Sequence, residues 1–199
     1  MITKQRFERK GKRAEKGRKG NPLQFNVAQF LKQPGPDARH YIIEQATLAA
    51  LSNEFTMPKP LNGQVKFVKT GKNILVTGTF ETELILPCTR CLTDTRVSIS
   101  FEIEETFIPT VDIVTGTKLT PSPEADEATF ITEQHILDLT EVIRQEIYIS
   151  TPTQVLCQPD CLGLCPHCGA NRNLEPCYCE ADQIDIRWAD LLALKDDFS

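Results

Sequence analysis

The chain has 199 residues, 40 % of them hydrophobic, and 22 Lys and Arg against 27 Asp and Glu, a net charge of −5. That length suits one domain with a small appendage, and a body of this size builds a core without covalent staples, so its eight cysteines need a local explanation. No apolar run approaches the ~20 residues of a membrane helix, and the basic opening Met1-Ile2-Thr3-Lys4-Gln5-Arg6 has no apolar stretch of a secretory signal behind it; the expected setting is a reducing cytoplasm, where clustered cysteines bind metal rather than pair.

Residues 1–22 read as a disordered basic arm, with too few apolar groups to fold alone. Lys4, Arg6, Arg9, Lys10, Lys12, Arg13, Lys16, Arg18 and Lys19 stand against Glu8 and Glu15, a net of +7 over residues 1–20 that leaves −12 for the rest. A cationic arm on an acidic body is a composition suited to nucleic acid. A short helix is expected from Leu23 to Leu31, capped by Asn26, with Val27, Phe30 and Leu31 on one face and Pro34-Gly35-Pro36 as its stop. His40 to Gln45 reads as a strand; residues 46–60 have no clear period.

The middle of the chain is strongly patterned. Val65–Lys69 and Ile74–Phe80 flank the turn composition Thr70-Gly71-Lys72-Asn73. Phe80, Thr82, Leu84 and Leu86 alternate with Glu81, Glu83 and Ile85, and Val97, Ile99, Phe101 and Ile103 alternate with Arg96, Ser98, Ser100 and Glu102. This period of two marks half-buried strands and puts Cys88-Thr89-Arg90-Cys91 at a hairpin tip. Residues 110–130 read as a loop with an acidic, proline-bearing stretch, Pro121 to Glu127. A helix should follow Asp138, capped by it with Glu141 at the third position and with Leu139, Val142, Ile143 and Ile147 on its apolar face. Thr151-Pro152 ends it, and a last short helix spans Trp188 to Leu194. The fold class expected is α+β: an antiparallel sheet or partial barrel over residues 23–156 with packing helices, then a cysteine-rich zinc-knuckle module over 157–199.

Cys88, Cys91, Cys157, Cys161, Cys165, Cys168, Cys177 and Cys179 supply ligands for two zinc ions, four thiolates each. Cys88–Cys91 and Cys165–Cys168 have the two-residue spacing at which a tight turn presents two sulfurs to one ion. Local closure costs less loop entropy, which favours grouping Cys165, Cys168, Cys177 and Cys179, with Gly169 easing the turn, and leaves Cys88 and Cys91 to join Cys157 and Cys161. The alternative pairs the two knuckles and leaves Cys157, Cys161, Cys177 and Cys179 together. An iron–sulfur cluster also takes four thiolates, though zinc is the commoner outcome for paired knuckles. A thioredoxin-type pair at Cys88–Cys91 would need a helix after it where a strand is expected. Four thiolates leave no open position for water, so such sites are structural and the chain is not expected to be an enzyme. Among the histidines, His167 is expected to be exposed on its knuckle, and His40 and His135 to be surface residues. Arg90 and Arg172 are candidate phosphate contacts.

The string Cys157-Gln-Pro-Asp-Cys161-Leu-Gly163-Leu164-Cys165-Pro166-His-Cys168-Gly169-Ala-Asn171 with Cys177-Tyr-Cys179, the segment Leu86-Pro-Cys88-Thr-Arg90-Cys91-Leu92 and the ending Ile184-Asp185-Ile186-Arg187-Trp188 together resemble the YceD-like family of large ribosomal RNA subunit accumulation proteins, in its eight-cysteine form known from cyanobacteria and plastids. The resemblance runs from about Phe25 to Leu194. It implies a role in 23S ribosomal RNA accumulation and large-subunit biogenesis, with ribosomal RNA, a pre-large-subunit particle or ribosomal proteins as partners and neither a membrane nor a small-molecule substrate. Some relatives lack the local cysteine module but keep the hairpin knuckle and a later cysteine, which favours the first grouping. Arg172-Asn173 stands where relatives often have Leu-Asn.

Overall fold

The computed structural model describes residues 21–35, 37–46, 54–120, 122 and 124–179. The arm cations from Lys4 to Lys19, Pro36, most of the unpatterned stretch, Pro121, Pro123, the Ile184–Trp188 ending and the Trp188–Leu194 helix lie outside them.

The alternating segments form the strands they predict. β2 (Ala38–Ala46), β3 (Lys59–Thr70), β4 (Asn73–Pro87) and β5 (Asp94–Pro109) lie side by side in chain order, and β6 (Phe130–Ile131) completes a five-stranded sheet. A two-residue turn joins β3 to β4 at the expected place, with Gly71 in the left-handed conformation at φ +63°. Along β4 the inward residues Ile74, Val76, Phe80, Thr82 and Leu84 are buried, and along β5 so are Ile99, Phe101, Ile103 and Phe107. Thr82 is tolerated inside because its hydroxyl donates to the Lys59 carbonyl at 2.8 Å. Gly63 and Gly78 leave room for the Phe80 ring, since a Cβ on Gly63 would collide with Phe80 Cδ1.

Three expectations are corrected. The sheet is mixed, because β6 pairs with the end of β5 in parallel, Ile108 opposite Phe130 and Pro109 opposite Ile131; a 3₁₀ turn at Glu127–Thr129 leads the chain into that edge. The helix expected from Leu23 is shorter: Gln24–Asn26 is a strand, β1, paired with β7 (Ile136–Asp138), and only α1 (Ala28–Lys32) is helical. Long-range pairing outweighs local helical spacing there, although Asn26 Oδ1 still accepts the Ala28 N–H at 3.1 Å. The second helix, α2 (Thr140–Ser150), buries Val142, Ile143 and Ile147 as expected, and Leu139, just before its first residue, is buried with them. Asp138 meets its first N–H, on Thr140, at 2.9 Å, but Glu141 pairs with Arg144 instead of closing a capping box.

The chain divides into two compact units. The first comprises the described residues up to Leu86 with Asp94–Val155, and holds the hydrophobic core, including a triad of rings (Phe25, Tyr41 and Phe67) with centroids 4.8–5.1 Å apart. The second joins the hairpin tip, Pro87–Thr93, to the chain from Leu156 onward. Its buried cluster is Cys88, Cys91 and Cys161, with Leu156 and Leu164 packed against them. The fold is α+β with two four-cysteine groups toward its C-terminal end.

Candidate metal centres

The β4–β5 tip is a tight turn in which Leu92 N–H donates to the Cys88 carbonyl and Cys88 N–H to the Thr93 carbonyl, both at 2.9 Å. Leu92 takes φ +61°, a left-handed conformation unusual for a branched side chain. This turn brings Cys88 and Cys91 onto Cys157 and Cys161: Cys91 Sγ lies 3.5 Å from Cys157 Sγ, and Cys88 Sγ 3.8 Å from Cys161 Sγ. The tip is held from the other side as well. Arg90 Nη1 donates to the Cys161 carbonyl at 2.9 Å, and the Arg90 carbonyl accepts Leu164 N–H at 3.0 Å. Gly163, at φ +74°, lets the two backbones meet, since a Cβ there would sit 3.1 Å from the Arg90 oxygen.

The second group is built on a smaller hairpin. Leu164 pairs with Asn171 across it, Cys165 N–H donates to Ala170 O at 2.8 Å, and Gly169 N–H donates to Cys165 O at 2.9 Å. Gly169 supplies the left-handed residue, φ +73°, that turns the knuckle. Cys177 returns to it, its sulfur 3.3 Å from Cys165 Sγ and 3.6 Å from Cys168 Sγ.

Within each group the four ligand atoms lie within 4.8 Å of one another, and all eight cysteines are free. Sulfurs ~2.3 Å from a central tetrahedral ion stand about 3.8 Å apart, whereas a disulfide needs ~2.05 Å. The spacing therefore fits two metal ions, each held by four sulfurs, and the structure adopts the grouping of local closure. The charges support this. Burial opposes ionisation of Cys88, but the peptide N–H groups of Cys157, Cys91 and Arg90 outweigh it and hold the thiol down to about 6. The N–H groups of Cys168 and His167, with the Cys177 thiol, bring Cys165 to about 6. Beside such sulfurs a second charge is unwelcome: the Cys91 sulfur and then burial push Cys157 up to about 12, and Cys177 and then Cys168 do the same to Cys179. Each group thus holds at least one thiol that ionises easily and at least one that resists, and a bound cation would favour the thiolate form of its ligands, with release of protons.

His167 is exposed on its knuckle and His40 on β2, while His135 is half-buried with Nδ1 lacking a hydrogen-bond partner. Arg172 is exposed; its backbone N–H donates to Gly163 O at 3.0 Å. Sequence reasoning passes over Thr93 and Asn173 as functional residues. Thr93 Oγ1 lies 3.3 Å from Cys91 Sγ, and Asn173 Nδ2 donates to Cys161 Sγ at 3.3 Å. The available signal is the Asn171-x-Asn173 pattern between two ligand pairs, in which short amides turn back onto the backbone.

The family model for large ribosomal RNA subunit accumulation protein YceD matches residues 76–195. The chain belongs to this family. It is 30 % identical over 176 residues to uncharacterized proteins of Mycobacterium tuberculosis and Mycobacterium bovis, covering 87 % of this chain and 82 % of theirs. The uncharacterized protein YlbN of Bacillus subtilis is 25 % identical over 120 residues, 59 % of this chain and 63 % of its own length. No solved structure matches. The family is named for accumulation of an RNA and not for a reaction, and that name suggests a role in accumulation of large-subunit ribosomal RNA. Among the described residues no helix is long and apolar enough to cross a membrane.

Proposed function

We propose that this member of the YceD family is a non-enzymatic cytoplasmic factor for 23S ribosomal RNA accumulation, binding ribosomal RNA or a pre-large-subunit particle. The observation that carries this reading is the pair of closed four-cysteine groups in a chain of that family: all-thiolate sites shape a surface and leave no position for a reacting water. Zinc is the ion proposed for both, since it takes four thiolates tetrahedrally and does no redox chemistry; when bound it supplies charge neutralisation and cross-linking, and the residues around it do the rest. Domain limits follow: an arm over 1–22, an α+β body over 23–156 and a zinc module over 157–199, with the tip cysteines drawn into it.

Long-range attraction to RNA is assigned to the arm, Lys4, Arg6, Arg9, Lys10, Lys12, Arg13, Lys16, Arg18 and Lys19, with Arg90 and Arg172 as local contacts. Each phosphate neutralised releases counterions, so binding to a 23S ribosomal RNA fragment should weaken steeply with salt. Deleting residues 2–20 should flatten that dependence, and an unchanged slope removes the arm from the reading. Elemental analysis of the purified chain should give two zinc; iron in their place, or no metal, refutes the metal assignment.

A second reading is an adaptor that docks a ribosomal protein or processing enzyme. It is favoured by the −12 net charge outside residues 1–20, complementary to basic ribosomal proteins, and by Leu92, Leu162, Leu174 and Tyr178, all exposed in the second unit. Crosslinking in cells separates the two: RNA recovered directly on the chain supports the factor, and protein partners without RNA support the adaptor.

A further inference from the structure

We propose that Asn171 and Asn173 couple the two four-cysteine groups, so that closing the Cys165 group prepares the Cys88 group to hold its ion. The inference rests on the metal reading of both groups. It starts from the Asn173 amide, all four of whose hydrogen-bonding positions are used. Its Oδ1 accepts Leu162 N–H at 2.8 Å and Gln158 Nε2 at 3.1 Å; its Nδ2 donates to Asn171 Oδ1 at 2.9 Å and to Cys161 Sγ at 3.3 Å. The Leu162 N–H can only donate, so Oδ1 must face it and the NH₂ must face the sulfur. Asn171 is fixed in the same way, because its Oδ1 accepts the Asn173 backbone N–H at 3.0 Å. Its own Nδ2 then points to Thr93 Oγ1 at 3.4 Å, and that hydroxyl lies 3.3 Å from Cys91 Sγ.

The two amides thus reach two ligands of the first group, Cys161 directly and Cys91 through Thr93. Their own position is set by the second. Asn171 pairs across the knuckle hairpin with Leu164, the neighbour of Cys165, and follows Ala170, whose carbonyl accepts the Cys165 N–H. A hairpin closed by Cys165, Cys168, Cys177 and Cys179 holds Asn171 and Asn173 in place; an open one releases them, and with them the N–H that orients the Cys161 sulfur. Neighbours that orient metal ligands typically change metal retention by about 10–100-fold when altered. Asn171 and Asn173 are positioning residues, and neither is a ligand.

The test uses the full-length chain loaded with zinc, a chelator in excess, and thiol alkylation read cysteine by cysteine from peptide masses. In Asn173→Asp the carboxylate keeps the acceptors for Leu162 and Gln158, and the backbone N–H still donates to Asn171 Oδ1, but both side-chain donations, to Cys161 Sγ and to Asn171 Oδ1, are lost. Expected is alkylation of Cys88, Cys91, Cys157 and Cys161 about 10–100-fold faster than in wild type, with Cys165, Cys168, Cys177 and Cys179 unchanged. Cys168→Ser, which opens the second group, should accelerate the same four distant cysteines, and the double variant should add little, because both changes break one connection. Equal rates in wild type and Asn173→Asp, or fully additive effects in the double variant, overturn the coupling while leaving two ions per chain intact. A wild-type chain that holds no ion overturns the coupling together with the metal reading.

Discussion

A left-handed backbone has a different cost at Gly163 and at Gly169, although their φ angles are +74° and +73°. Any L-residue pays ~1–2 kcal/mol for that conformation. At Gly169 a Cβ would meet nothing within 4 Å, whereas at Gly163 it would press on the Arg90 carbonyl. Gly169→Ala should therefore weaken the second unit by about 1 kcal/mol, and Gly163→Ala by more, read as the shift in denaturant midpoint of cysteine protection. Equal shifts would show that the approach to Arg90 is not tight. In the first unit, Asp112 accepts from Lys72 Nζ at 2.8 Å and from the N–H groups of Val114 and Thr115 at 2.9 and 3.1 Å. Lys72 first, then those N–H groups, hold its carboxyl well below the usual carboxylate range. A depressed folded-state value means stability that is present above the unfolded value, near 4, and lost as pH falls toward the folded one. Wild type should then melt above Asp112→Ala at pH 7, with the gap closing progressively below pH 4; a gap independent of pH would sink this account. Spacing alone predicts the eight sulfurs and the Gly169 turn. The side-chain bonds of Arg90 and Asn173 are not legible that way, because each joins segments whose approach depends on where the chain folds back.

At the scale of elements, periodicity carries far where a face is long enough to average over. Each of β3, β4 and β5 runs at least 12 residues and alternates as its sequence does. The three residues of β1 and the two of β6 are too few to show a period; only their partners, Ile136–Asp138 and Ile108–Pro109, make them strands. Helix α2 sits between these cases. Its apolar face is legible, while its predicted capping box loses to a local ion pair, Glu141 with Arg144, that competes for the same carboxylate. The face makes a quantitative prediction. Ile143 is fully buried and Ile149 is 76 % exposed on the same helix. Ile143→Ala should cost ~2–5 kcal/mol in the melting of the first unit, against ~0.5 kcal/mol or less for Ile149→Ala. Comparable losses would mean that α2 does not pack by this face.

For the whole molecule, the decisive contrast is between what buries each unit. The core of the first is aliphatic and aromatic throughout and includes no cysteine. In the second, among the described residues, the buried cluster is three of the proposed ligands themselves, with only Leu156 and Leu164 against them. Removing the ions under reducing conditions takes away ~10–16 kcal/mol of apparent binding energy per structural zinc, against the ~5–15 kcal/mol that holds a typical domain. Among the described residues the second unit has no other core to fall back on, and the first contains none of the proposed ligands. Chelation should therefore abolish amide-exchange protection at Pro87–Thr93 and over 156–179, and leave β3, the inner part of β4 and α2 protected with their melting transition intact. Restoring zinc should restore the lost protection. If the strands of the first unit lost protection along with the cysteine unit, the two would be one cooperative body and the metal would be part of the main core; if nothing changed, the thiols would be held by packing alone, and the all-thiolate groups would need another purpose.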